Sequence, residues 1–418
     1  MTTDTSDLCP TCSHVLPAAG DHPVWCAECE WGLGEPEAPR GGPVRAWFDR
    51  RSAALVEALY RDVSRAEPAR PGWNAARVAS YLLALAVHAC PLALLAVAGL
   101  LLWTDVNAVT VIAAVVLVVL AYFLAPRLGR MPRGDAVKCR EDAPALFALL
   151  DRVGTEVGAA PVHTVVVTGE FNASYGAVGL RRRHVLTIGL PIWDPLTGQQ
   201  RVALLGHEFA HGVNGDSRHG LVVGTALSTL ARLHHATRPG GRDRRMNYLI
   251  DLMVRALQGV VSGLVAMVFR AQLALTLRAG QRAEYLADRL AGQVASPGAA
   301  ADMLDTMLVT AQTHRLALRR TAVRAGTELW AEQREAVANL PESERERRRR
   351  LAARERLRVD ESHPPTHLRI AVLRDRPESE PRVRIEADET ERITAELAAD
   401  YDRVARELRE SARAALYR

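Results

Sequence analysis

His207, Glu208 and His211 form the pattern His-Glu-x-x-His in a chain of 418 residues. On a helix, residues four apart lie one above the other on the same face. Two imidazoles at that spacing can grip one zinc ion at roughly 2.0–2.1 Å per Zn–N bond. Glu208 follows the first histidine by one position, which puts its carboxylate beside the metal without making it a ligand. From there it can take a proton from a water polarised by the metal and pass it to a leaving amine. That is the working arrangement of a zinc peptidase. The flanks favour it over chance: Gln199 to Ala210 reads as helix with Val202, Leu205 and Phe209 on an apolar stripe, and Gly212, Asn214, Gly215 and Asp216 end it.

A hydrolytic zinc needs a third protein ligand and one open position. Glu284-Tyr285-Leu286-Ala287-Asp288 lies on a segment of strong helix formers, again with two carboxylates four apart. Glu284 can complete the ligand set as the oxygen donor. Asp288 can accept the free N–H of a zinc histidine and fix its tautomer. Taken alone, the pair beside Arg282 and Arg289 also has the composition of an ordinary solvated acidic face.

Together with Ser362-His363-Pro364-Pro365-Thr366-His367-Leu368-Arg369-Ile370, these segments resemble the HtpX-like family of membrane zinc metallopeptidases, relatives of the CAAX prenyl-protease and the Oma-type proteases. The resemblance implies that His363 helps stabilise the tetrahedral oxyanion and that Arg369 helps hold the site together. Family members commonly carry acidic residues before that arginine, where this chain has His367 and Leu368, a departure that bears on local packing or specificity. Upstream, the β-branched run Pro161–Val167 is followed by Phe171-Asn172-Ala173-Ser174, and His184–Ile188 reads as the next strand beyond Gly176, Gly179 and Arg181-Arg182-Arg183. In the family a similar Asn-Ala pair lies on an edge strand that binds substrate backbone by β-augmentation. The resemblance thus implies a substrate-binding role for Asn172 and Ala173; a plain hairpin with a turn asparagine is the alternative. It covers roughly Ala143 to Leu373 and implies quality control of membrane proteins as a role.

Val78 to Leu102 and Val106 to Leu124 carry no charged residue. A bilayer core needs about 20 apolar residues per helix, so the two read as a transmembrane hairpin within 73–128, joined at Asp105 and Asn107. Trp73, Trp103 and Tyr122 lie near the ends, where amphipathic rings favour the interface. Arg61, Arg65, Arg70 and Arg77 precede the hairpin, Arg127, Arg130, Arg133, Lys138 and Arg140 follow it, and the connection has neither Lys nor Arg. The positive-inside rule then places both termini and the catalytic domain in the cytoplasm of a multi-pass cell-membrane protein. Two further apolar stretches, Leu221–Leu233 and Ala256–Phe269, are short, so residues 219–236 and 246–278 are either core helices or a second membrane-associated hairpin. If they insert, the site lies near the bilayer and membrane proteins become natural substrates. A net charge of +5, concentrated beside the spans, fits anionic lipid headgroups and not nucleic acid.

Cys9-Pro10-Thr11-Cys12 and Cys26-Ala27-Glu28-Cys29 form two C-x-x-C knuckles. Four thiolates at that spacing suit a closed structural zinc, and a cytoplasmic location disfavours the competing disulfides. Residues 1–34 therefore read as a zinc ribbon, stabilised by its metal because so short a segment cannot build a core. His14 and His22 are spare, and Cys90 and Cys139 are expected to be buried thiols. Asp4, Asp7, Asp21, Glu28, Glu30, Glu35 and Glu37 make the ribbon acidic, which suits a partner protein or substrate better than nucleic acid.

The expected architecture is α+β, mostly helical: a zincin-type metallopeptidase domain over 135–380 with a small edge sheet, a transmembrane helical hairpin and an N-terminal zinc ribbon. Residues 35–72 supply a linker and an amphipathic helix from Ala46 to Ala66, and 381–418 a C-terminal helix. Residues 310–358, with Glu344-Arg345-Glu346-Arg347-Arg348-Arg349-Arg350, read as a charged insertion whose helix is solvated and laced with ion pairs. Two Zn2+ are implied, one catalytic and one structural, with protein or peptide substrates. A catalytically idle scaffold, or a zinc or redox sensor recruiting partners through the ribbon, is the competing class; the presence of Glu208 beside a full ligand set speaks against it.

Overall fold

Val165, Val167, Leu186 and Ile188 flank the half-buried Val166 and Thr187, and all four are fully buried. That period of two makes one face of a small sheet and fixes its side. The computed structural model describes residues 8–17, 22–34, 54, 56–65, 75–127, 129–179, 181–213, 220–238, 248–323, 328–354 and 363–416. Strands β1 (Val137–Lys138), β2 (Thr164–Thr168), β3 (Ala173–Val178) and β4 (Arg183–Gly189) lie in the order β1-β2-β4-β3. β2 and β4 are parallel, with Thr164 opposite Val185, while β3 returns antiparallel to β4, with Ala173 opposite Ile188. β3 is therefore an edge of the sheet. The β3–β4 turn needs positive φ, supplied by Gly179 at 69° and Arg182 at 49°.

The described residues divide into two compact units. One comprises residues 1–70, 131–214 and 281–418 and holds the sheet. Its core joins the sheet to helix Pro144–Val157, through Phe147, Leu150 and Val153, and to Val202, Leu205 and Phe209 of helix Gly198–Val213. Pro144 starts the first of these helices and Gly158, at φ 79°, ends it in the left-handed conformation. Helices Pro297–Val323, Leu329–Ala338, Glu342–Arg354, Thr366–Arg374, Ala387–Glu396 and Ala398–Leu416 complete the unit. The C-terminal segment expected as one helix is thus two, broken at Leu397. Of the expected helix Ala46–Ala66, residues 54 and 56–65 are helical, with Val56 and Val63 buried, and the rest lies outside the described residues.

The other unit comprises residues 71–130 and 215–280. Helix Ala75–Thr104 runs 30 residues, and Ala108–Leu124 follows after a cap in which Asn107 and Thr110 bond each other's backbone N–H. Their large apolar side chains point outward: Leu82, Leu92, Ile112 and Phe123 are exposed, and Trp103 is 89% exposed. A short π-helical segment, Gly220–Gly224, precedes helix Thr225–Thr237. Helix Tyr248–Ala295 is continuous over 48 residues, so the stretch judged short from Ala256 to Phe269 is one part of a long helix. Arg255 and Arg270 both lie inside it, as good helix formers can, and Asp251, one turn before Arg255, pairs with it at 2.9 Å. Among the described residues two helical stretches, Ala75–Thr104 and Asp251–Thr276, are long and apolar enough to cross a membrane by length and composition; Ala108–Leu124, at 17 residues, is shorter.

Candidate metallopeptidase active site

Helix Gly198–Val213 begins with a capping box: Thr197 N–H donates to Gln200 Oε1 and Gln200 N–H to Thr197 Oγ1. Its apolar stripe anchors it in the core, which fixes the rotation of the opposite face and hence the direction of His207 and His211. Gly206 allows the second contributing helix to approach, since a Cβ there would lie 3.2 Å from Ala291 Cα. This close crossing brings Glu284 to the histidines.

His207 Nε2 lies 3.2 Å from His211 Nε2 and 3.6 Å from Glu284 Oε2, and His211 Nε2 lies 3.4 Å from Glu284 Oε1. A tetrahedral zinc with 2.0–2.1 Å bonds has donor–donor edges of roughly 3.3–3.4 Å. The three side chains therefore fit one small divalent ion. The two imidazole rings stand at 85° to each other, as two ligands converging from one helix face can.

The supports behind this triad are buried and charged. Asp288 Oδ1 sits 3.0 Å from His207 Nδ1, and the carboxylate takes a two-pronged bond from Arg369, Nη2 to Oδ1 at 2.6 Å and Nε to Oδ2 at 2.7 Å. His207 thus donates its Nδ1–H to Asp288 and keeps the Nε2 lone pair for a metal. Burial alone would raise the Asp288 carboxyl, but the charge and hydrogen bonds of Arg369, helped by His207, hold it far below the usual carboxylate range. Burial would lower the His207 imidazole, and the Asp288 bond and charge outweigh it and raise it. Burial and the neighbouring His207 bring His211 down to about 4, which keeps that imidazole neutral as a ligand must be.

Glu208 is half-buried, and burial with the Glu284 charge pushes its carboxyl up to about 7, against the pull of His207. A group poised there can both accept and return a proton near neutrality. His363 Nδ1 is 2.7 Å from Glu284 Oε2, so this ring leans on the third donor of the set. Burial would raise Glu284, but the His363 bond and the nearby His207 and Arg369 bring it down to about 2.

These groups open into a cleft of about 800 Å³. Asn172, Ala173, Ser174 and Tyr175, at the start of edge strand β3, form one side. Leu204, Met303, Leu304, Met307, Leu308 and Ala352 make an apolar wall. Every sequence-predicted residue of the active site is thus brought to one place: His207, Glu208, His211, Glu284, Asp288, His363, Arg369, Asn172 and Ala173. Sequence reasoning missed Tyr175 and the methionine wall. Tyr175 packs edge-on to Phe209 at 4.9 Å and bonds the Ala160 carbonyl at 2.6 Å, holding β3 against the histidine helix. The spacing of Met303 and Met307, four apart on one helix face, was the available signal.

Cys9, Cys12, Cys26 and Cys29 form a second donor cluster, their sulfurs all within 4.8 Å of one another and none disulfide-bonded. Cys9–Cys29 and Cys12–Cys26 are each 3.5 Å apart, near the roughly 3.8 Å edge of a tetrahedron with 2.3 Å Zn–S bonds. Neither remaining cysteine is the buried thiol expected. Cys90 faces outward from the 30-residue helix and Cys139 lies exposed beside the β1 strand, because neither falls on a buried face of its element.

The sequence model of peptidase family M48, which contains HtpX, the CAAX protease and the Oma-type enzymes, matches residues 149–377, more than half of the chain. The match takes in every residue of the donor triad and its supports. No curated protein and no solved structure matches the chain.

Proposed function

The chain belongs to peptidase family M48, and on that premise we propose that it is a membrane-anchored zinc endopeptidase acting on protein or peptide substrates. The observation that carries the reading is the donor geometry: two imidazole nitrogens and a carboxylate at 3.2–3.6 Å from each other, with both imidazoles lining a cleft of about 800 Å³. His207, His211 and Glu284 would hold the ion, which when bound supplies Lewis acidity and lowers the pKa of water to about 7.

The chain's own groups do the rest. Asp288 fixes the His207 tautomer, and Arg369 fixes Asp288. Glu208 takes a proton from the attacking water and delivers it to the leaving amine as the peptide C–N bond breaks and a C–O bond forms. His363, beside the same cleft, steadies the oxyanion of the tetrahedral intermediate. The free edge of β3 gives Asn172 and Ala173 the position from which to pair with an extended substrate backbone. The methionine wall accepts apolar side chains and adapts to their shape.

The outward-facing apolar side chains of Ala75–Thr104 and Asp251–Thr276 support the membrane anchor. The basic flanks of the first hairpin support a cytoplasmic site, and quality control of membrane proteins is the role the family resemblance suggests. Four thiolates at tetrahedral spacing support a second, structural Zn2+.

The test is Glu208→Gln in purified full-length protein, with metal content measured alongside cleavage of a protein substrate. The variant should keep its zinc and lose cleavage by about 10²-fold or more, the usual scale of general acid–base catalysis. Full cleavage by the zinc-loaded variant would refute the mechanism, and wild-type protein that binds zinc without cleaving anything would favour the idle scaffold.

A further inference from the structure

The run of arginines in helix Glu342–Arg354 is not a solvated face. The helix has six arginines and three glutamates in thirteen residues, a length at which an isolated helix is marginal. Something must hold it. Glu344 is 2% and Arg348 7% exposed, and the inner side is tied to its neighbours: Arg348 donates to the Val309 carbonyl at 2.8 Å, Arg349 pairs with Asp305, and Arg345 reaches the Val337 carbonyl.

The other side carries the four-cysteine module. Trp25 Nε1 donates to the Ser343 carbonyl at 3.0 Å, and the Arg350 guanidinium lies 5.3 Å from the Trp25 ring centre. Arg350 also donates to the Ala27 carbonyl, and Arg354 pairs with Glu30 and donates to the Gly34 carbonyl. Ser343, Arg350 and Arg354 are spaced at 7 and 4, one stripe of the helix. Ala352, on the opposite side of the same last turn, belongs to the wall of the substrate cleft.

The module is built to present these groups. Its two knuckles repeat one geometry: Cys9 N–H bonds the His14 carbonyl and Cys26 N–H that of Trp31, both at 2.8 Å. Ser13 and Glu30 return bonds to the Cys9 and Cys26 carbonyls at 2.9 Å, each from positive φ. Glu30, the residue paired with Arg354, is therefore held directly by the second knuckle. Trp25 and Leu33 are buried although so small a segment has little core of its own.

We propose that the metal-loaded four-cysteine module is an intramolecular latch: docked on the Ser343–Arg350–Arg354 stripe, it holds the last turn of the Glu342–Arg354 helix and so fixes the Ala352 wall of the substrate cleft. The link to substrate rests on the peptidase reading above; the docking itself does not. Metal loss from the cysteines unfolds the knuckles, withdraws Glu30 and Trp25, and frees the last turn while the inner contacts of Arg345, Arg348 and Arg349 keep the first two turns in place.

The experiment compares full-length wild type in detergent with Arg354→Glu, Glu30→Arg, the double swap and Cys12→Ser/Cys29→Ser, reading amide hydrogen exchange, metal content and peptide cleavage. Arg354→Glu leaves the knuckles untouched, so it should keep both metals. It should still lose protection by about tenfold or more over residues 350–354, the scale of one charge-assisted hydrogen bond, and spare 344–348. KM should rise by a similar factor with kcat nearly unchanged. The charge swap should restore protection, and the cysteine pair should lose one metal and reproduce the Arg354→Glu pattern. Unchanged exchange in Arg354→Glu would overturn the latch and leave the module as an independent recruiting domain. Lost protection without a KM change would overturn its coupling to the cleft. If no variant or wild type cleaves the peptide, the peptidase reading fails, and exchange alone still decides the docking.

Discussion

Asp288→Asn removes one charge from a pocket in which two other groups depend on it. Asp288 is 2% exposed and binds Arg369 through both carboxylate oxygens, while the same Oδ1 lies 3.0 Å from His207 Nδ1. Two separable losses follow. Arg369, itself buried, loses its two-bond partner and keeps only Glu284 Oε2, at 3.5 Å, as a counter-charge; breaking a buried pair from one side costs up to about 3–5 kcal/mol, and neither partner is exposed enough for solvent to screen it. His207 keeps an amide oxygen as hydrogen-bond acceptor but loses the negative charge that raises the basicity of its ring. Such a change behind a metal ligand lowers affinity by about 10–100-fold, or about 1.4–2.7 kcal/mol. Zinc affinity would be measured by competition with a chromophoric chelator, and stability by thermal unfolding in detergent. Adding Arg369→Met removes the stranded cation, so the double variant should recover most of the stability and none of the affinity. Zinc affinity within twofold of wild type in Asp288→Asn would refute the claim that this carboxylate tunes His207. Affinity and stability recovering together in the double variant would show that the metal loss was only a symptom of poor folding.

Gly212→Ala puts a Cβ 2.5 Å from Tyr175 Cε1, and that ring cannot easily give because its hydroxyl is bonded to Ala160 and its face stacks on His184 at 5.3 Å. Overpacking of about 1–3 kcal/mol should outweigh alanine's gain over glycine, which reaches roughly 1 kcal/mol only in a helix interior while Gly212 is next to last in its helix, lowering the unfolding temperature. Tyr175→Leu in the same chain should reverse the sign, and a stabilised single variant would contradict the packing. Burial would raise the Glu344 carboxyl, but its bonds to Arg347 and Arg348 hold it below the ordinary glutamate value. A depressed folded pKa stabilises above the unfolded value, about 4.3, and the contribution fades as pH falls through the folded value. The stability gap between wild type and Glu344→Gln should therefore be full at pH 6 and shrink towards pH 3.5; a gap independent of pH would place the stabilisation elsewhere.

What the sequence made legible is what one element can encode by itself. His-Glu-x-x-His carries its own geometry because four residues span about one helical turn, and C-x-x-C carries its own because a knuckle is a local turn. The apolar spans are legible for the same reason, as composition within one segment. The pairing of Asp288 with Arg369 crosses 81 residues, and no local pattern states it; the family resemblance implies only that Arg369 helps hold the site together and does not name its partner. The ion pairs expected of the arginine run are present, among them Arg347 with Glu344 and Arg350 with Glu346, but its faces are covered, because composition gives charge and not what lies opposite. Its partners are Asp305 and the Val309 carbonyl on one side and, more than 300 positions away, Trp25, Ala27 and Glu30 on the other. Helix Tyr248–Ala295 was cut into short pieces for a related reason. An arginine at either edge of an apolar stretch marks the end of the apolar run but not of the helix, and Arg255 and Arg270 both lie inside this one.

The same distinction explains why the donor triad needs so much protein behind it. Two ligands come from one helix and are set by its pitch, but Glu284 arrives on another helix, and its distance to the histidines depends on how closely the two can cross. Gly206 against Ala291 sets that approach, and the Asp288–Arg369 pair sets the rotation of the incoming helix, because Asp288 stands one turn beyond Glu284 on the same face. Moving Glu284 by an ångström would take its oxygen outside the 3.4–3.6 Å it now keeps from the imidazoles. The buried ion pair therefore acts on the metal site twice, through the tautomer of His207 and through the position of the third donor. That is a physical reason for a buried arginine beside a site built to hold a cation, where the ion's charge alone would argue against one.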